Sequence, residues 1–195
     1  MKSSFKQIAL LFSLILFTTS VSFSQANYNS KVADIKLTGT SNIHDWEMVA
    51  TSANSTANFV VNSSGHVTGI TALSFVLPAV NLKSKHTQMD KNTYKALNTT
   101  KNPNISFTLT SATITPTGGN NYQINAVGKM SIAGTVKHTD LQATAKYNPA
   151  DKSFTVTGVK KMKMTDYNVA PPKALMGTIK TGDAISIAYT LKFTK

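Results

Sequence analysis

The sequence predicts an all-β domain, with about eight antiparallel strands joined in order as hairpins. Three observations predict it. Apolar and polar residues alternate with a period of two through most of the chain, clusters of turn-forming residues punctuate the alternation, and no stretch sustains the 3.6-residue repeat of a long helix.

The first segment stands apart from this pattern. Lys2 and Lys6 precede the apolar run Ile8–Phe17, which gives way to small and polar residues. That is the order of a secretory signal peptide, and the run is shorter than the ~20 residues a membrane span needs. Ser22 and Ser24 supply the small residues for cleavage after Ser24, so residues 1–24 are expected to be removed and residues 25–195 to form one domain. No Cys follows the run, which excludes a lipid-anchored lipoprotein. The expected location is the periplasm or the exterior.

The strands follow in turn. Ala33, Ile35 and Leu37 share one face, as do Ala57, Phe59 and Val61, then Leu73, Phe75 and Leu77. After a break come Ile105, Phe107 and Leu109, the even positions Tyr122 to Ile132, Leu141 to Tyr147, Phe154 with Val156, and the odd positions Ile185 to Phe193. Turns are expected at Asn62–Gly65, Thr115–Asn121, Asn148–Ser153 and Lys180–Asp183. Two segments break the alternation. In the first, Thr87 is placed to cap a short helix, Asp90 favours its positive end, and Met89, Tyr94 and Leu97 form an apolar stripe before the Lys101–Asn104 turn. The second, Asn168–Gly177, has prolines suited to a first helical turn and Gly177 to end it. One apolar face per strand requires that the sheet pack on a second sheet or close on itself, and periodicity alone leaves both open.

Composition narrows the function. The absence of Cys excludes disulfides, thiolate metal sites and Cys nucleophiles. The net charge is +12, yet every basic residue apart from His is Lys. Arg is the side chain suited to paired hydrogen bonds with phosphate and guanine, so sequence-specific nucleic-acid binding is not expected. A lysine-rich surface is, with weak contact to anionic lipid as a second reading. His138 and Asp140 share a strand face, but no G-x-S-x-G elbow accompanies them. His44, His86 and His138 lack metal-ligand spacing. Neither an enzyme nor a cofactor is expected.

Four segments in order carry a resemblance: Gly39–Met48 (GTSNIHDWEM), Met89–Phe107 (MDKNTYKALNTTKNPNISF), Gly128–Lys137 (GKMSIAGTVK) and Lys161–Ile187. Together they resemble the YceI-like family of bacterial periplasmic polyisoprenoid-binding proteins. The resemblance implies an antiparallel, eight-stranded, lipocalin-like β-barrel with one or two short helices near its mouth. Many members open the middle helix with an Arg-Asp pair. This chain has Met89-Asp90, leaving Lys91 or Lys95 to supply the base.

The implied function is to hold a long apolar ligand, an isoprenoid quinone, polyprenyl species or other long-chain lipid, whose exposure costs ~0.8 kcal/mol per methylene. The expected apolar lining is Leu37, Phe59, Phe75 and Leu77 from the early strands, and Met89 and Leu97 from the helix. Ile105, Phe107, Met130, Ile132, Met162 and Met164 complete it. His44, Trp46, His86 and Lys101 are the candidates for a polar head group at the mouth. The alternative is a basic envelope- or polyanion-binding protein with a filled core. Monomer and homodimer are both compatible with the sequence.

Overall fold

The structure, a computed structural model, describes residues 24–62 and 66–195. The expected signal segment lies outside these residues except for Ser24, with which the first strand begins. Eight long strands form one antiparallel sheet in sequence order: β1 (Ser24–Ser41), β2 (Trp46–Val61), β3 (Val67–Pro78), β4 (Asn104–Gly118), β5 (Asn121–Ile132), β6 (Thr135–Asn148), β7 (Ser153–Lys163) and β9 (Ile179–Phe193). Ladder pairing of β1 with β9, from Ala33–Leu191 to Ser41–Thr181, closes the sheet into a barrel. A two-residue strand, β8 (Lys173–Ala174), adds to the start of β9.

Alternation decides which side chains enter the barrel. Along β2 the inward positions Ala53, Ser55, Ala57 and Phe59 are buried while Asn54 and Thr56 face water. The stretch Thr51–Asn58 reads as polar because its inward residues are small. They leave room for an aromatic plug at one end of the barrel. Phe59 stacks on Phe154 with ring centroids 4.2 Å apart, Tyr28 meets both edge-on, and Phe193 meets Phe59 edge-on at 6.0 Å. Edge-to-face and offset stacks are the favoured aromatic geometries. This end is solid.

The opposite end is closed only in part. The helix α1 (Thr87–Leu97) lies there between β3 and β4. Its cap is His86 rather than Thr87, and no side chain caps it. Asp90 lies in the first turn as expected, but it is buried and its carboxylate accepts hydrogen bonds from Ser84 N and Oγ, both at 2.8 Å. The Tyr94 hydroxyl lies 2.9 Å from the Val80 carbonyl and 2.8 Å from the Leu82 carbonyl, which share its single proton and tether the helix to the preceding strand connection. Asn98, in the left-handed conformation at φ 52°, ends the helix.

Two expectations are corrected. Asn168–Gly177 forms no α-helix: Pro171 and Pro172 disfavour helical geometry in the residues before them, the chain runs extended into β8, and only the 3-10 turn Leu175–Gly177 is helical. Lys180–Asp183 is not a turn but part of β9. Lys173 pairs with Lys180 and Ser41 with Thr181, so both edges of this stretch find strand partners.

Candidate functional site

Between the plug and α1 the barrel encloses a cavity of about 420 Å³. Its wall is built where the inward faces of the strands carry medium and large apolar side chains. β1 gives Ile35 and Leu37, β3 gives Phe75 and Leu77, β4 gives Ile105 and Phe107, and β5 gives Met130 and Ile132. β7 adds Met162, followed by Met164, and β9 adds Ile185, Ile187 and Leu191. Met89 and Leu97 project from α1 to complete the upper wall. The wall is rich in Met, whose flexible thioether adapts to irregular partners.

Most of the lining expected from sequence is therefore brought to one surface, with one exception. Phe59 is fully buried in the plug and does not reach the cavity wall. At the mouth, His44, Trp46 and His86 reach the wall, while Lys101 does not. Lys101 sits in the turn after α1, its N–H donating to the Asn98 carbonyl, and its side chain is in solvent. Lys91 and Lys95 are likewise exposed on α1 and absent from the wall.

Trp46 has a specific seat. Its indole lies over Gly39, its cross-strand partner, where any Cβ would collide with the six-membered ring. Its Nε1–H donates to the Thr40 carbonyl at 2.9 Å. The ring thus covers a stretch of wall that has no side chain of its own. His44 stands beside it in the β1–β2 connection, with Nδ1 2.6 Å from the Asp45 carbonyl oxygen.

The bases on the wall are ones that motif reasoning passed over. Lys160, Lys163 and Lys173 line the cavity with His44 and His86, and no Asp or Glu does. The signal for Lys160 was present in the sequence: it follows Phe154, Val156 and Gly158 at every second position and precedes Met162, so it shares their inward face. Tyr189 faces inward in the same way, between Ile187 and Leu191. Burial raises the pKa of its hydroxyl above the usual tyrosine value, keeping it protonated. His138 and Asp140, by contrast, are exposed on the outer side of β6, with the buried Thr139 pointing inward between them.

Comparison with solved structures gives the same architecture. BcnA of Burkholderia cenocepacia matches with a TM-score of 0.64 at 16% identity, over 82% of this chain and 95% of that one. A polyisoprenoid-binding domain from Saccharophagus degradans, implicated in plant cell wall breakdown, matches with a TM-score of 0.64 at 8% identity, over 90% and 99%. The YceI protein of Campylobacter jejuni matches with a TM-score of 0.51 at 14% identity, over 65% and 73%. No curated protein sequence matches significantly. A model of the YceI-like domain matches residues 17–193, and the chain accordingly belongs to the YceI-like family of binding proteins.

Proposed function

We propose that the protein is an exported binder that holds a long apolar chain inside its barrel, for carriage or for sequestration, in the periplasm or outside the cell. The observation that carries this reading is the predominantly apolar wall, which reaches from Ile35 near the plug to Met89 at α1 and is free of carboxylates. Each methylene moved from water to such a wall gains ~0.8 kcal/mol, so a tail needs no polar contact to be retained. The isoprenoid class is supported by family membership and by the polyisoprenoid-binding neighbour.

Delivery at an anionic membrane surface belongs to the same reading. At the mouth, Ile43 is 57% exposed and Met176 fully exposed, with Lys173 and Lys180 close in sequence to Met176. Apolar tips among lysines suit a surface of anionic head groups.

The test is native mass spectrometry of protein expressed with its own leader and purified without detergent, followed by solvent extraction. A stoichiometric long-chain lipid is expected. A bare polypeptide mass, from protein that also takes up no added quinone, polyprenol or fatty acid, would overturn the reading.

A further inference from the structure

The cavity wall has one polar interruption below its mouth. The β6–β7 ladder runs only from Asn148–Ser153 to Ala143–Gly158. Beyond that pair the two strands separate, although β6 stays paired with β5 and β7 with β9. The Lys160 side chain crosses the gap, and its ammonium donates to the main-chain carbonyl of Asp140 at 2.8 Å. Nearer the mouth, the Tyr167 hydroxyl and Thr139 Oγ1, 2.8 Å apart, bridge the same gap.

Tyr189 stands beside Lys160. Gly158 pairs with Tyr189 and Lys160 with Ile187, so Lys160 and Tyr189 are diagonal neighbours on the inner face, with Cα atoms about 7–8 Å apart. The Tyr189 hydroxyl lies over Gly158, where any Cβ would strike it. Gly158 thus leaves the space in which that hydroxyl sits. Among the described residues the hydroxyl has no hydrogen-bond partner. An ammonium has three protons and one is used at Asp140, so two remain. With the Tyr189 proton, this corner of an apolar cavity offers unused donors and a positive charge. No carboxylate on the wall balances it.

We propose that Lys160 and Tyr189 form an oxyanion subsite, and that the ligand is a single-chain amphiphile bound with its anionic head at this corner and its tail along the wall toward α1. The inference rests on the reading above that the barrel holds a long chain. A carboxylate and a phosphate share the required chemistry: oxygens that accept charge-assisted hydrogen bonds from an ammonium and a further bond from a hydroxyl. Size favours one chain of modest length. The cavity of about 420 Å³ is of a size to enclose a single tail rather than several. A much longer polyprenyl tail would leave through the mouth.

The experiment compares matched pairs on the refolded, delipidated protein: palmitic acid against hexadecanol, and geranylgeranyl phosphate against geranylgeraniol, each by native mass-spectrometric titration. In the wild type at least one acid is expected to bind about tenfold or more tighter than its alcohol, the size of a lost charge-assisted hydrogen bond. The pair showing the larger ratio identifies the source as a fatty acid or a prenyl phosphate. In Lys160→Met and Tyr189→Phe the ratio should fall toward one. Tyr189→Phe removes only the hydroxyl and leaves the wall bridge of Lys160 intact, so it reports even if the lysine variant misfolds. Equal affinities for acid and alcohol in the wild type, or an unchanged ratio in Tyr189→Phe, would overturn the subsite and leave the binding barrel standing. If neither acids nor alcohols bind, both proposals fall together.

Discussion

At the scale of single residues, the wall and the plug make different demands. Met130 is half-buried on the wall opposite Phe107. A Met130→Arg barrel should fold, because the guanidinium can reach toward the mouth, but it should lose retained lipid in detergent-free native mass spectrometry. Phe59→Ala should behave in the opposite way. Its ring is stacked within the plug, so truncation should cost ~3–5 kcal/mol in denaturant unfolding while the cavity wall keeps all its side chains. Gly39→Val would drive a side chain into the Trp46 ring, and the expected loss is ~1–3 kcal/mol with a shift in tryptophan fluorescence.

At the scale of elements, Asp183 links β9 to the 3-10 turn Met164–Tyr167. Its carboxylate accepts from Thr165 N at 2.9 Å and Thr165 Oγ1 at 2.6 Å, and these bonds, the hydroxyl first, hold its pKa below the ordinary 3.8. A depressed folded pKa means that the stabilisation is complete above the ordinary value and is lost as the pH falls through the lowered one. Hydrogen exchange at Thr165 and its neighbours should therefore rise relative to the rest of the barrel in that acid window, and Asp183→Asn should remove the difference.

The strands were legible because alternation is enforced by burial, and slipping one residue would turn a face such as Ile185–Phe193 out into water. The second break in the pattern was not legible as strand. Asn168–Gly177 carries helix-start proline chemistry, yet its end folds into a short hairpin, Lys173 pairing with Lys180 and Ala174 with Ile179 around the 3-10 turn Leu175–Gly177. Large side chains on the inward faces were legible as residues of the cavity wall. Phe59 was misplaced because the face of a strand says nothing about depth along the barrel. Lys160 was overlooked because an inward lysine does not look like wall, although the period of two put it there.

At the scale of the whole molecule, pairing of β1 with β9 covers the two outermost edges that an open sheet would expose to aggregation. A ligand that binds only the closed barrel stabilises it by mass action, ~2.7 kcal/mol at a hundredfold excess over Kd. For a domain of this size that raises the melting temperature by roughly 5–10 °C, which differential scanning calorimetry with and without extracted lipid would read. The mouth supplies the membrane test. Sedimentation with phosphatidylglycerol vesicles should exceed that with phosphatidylcholine vesicles and should fall as salt is added.

The aromatic plug has a kinetic consequence. A tube open at both ends allows an incoming lipid to push out the resident one from behind. Here Tyr28, Phe59, Phe154 and Phe193 fill one end, so the chain that arrived must leave by the way it came before another can enter. Exchange is then dissociative. In a chase with labelled lipid, the release rate should stay constant as competitor is raised, because the resident chain must let go of the wall and pass the mouth before another can enter.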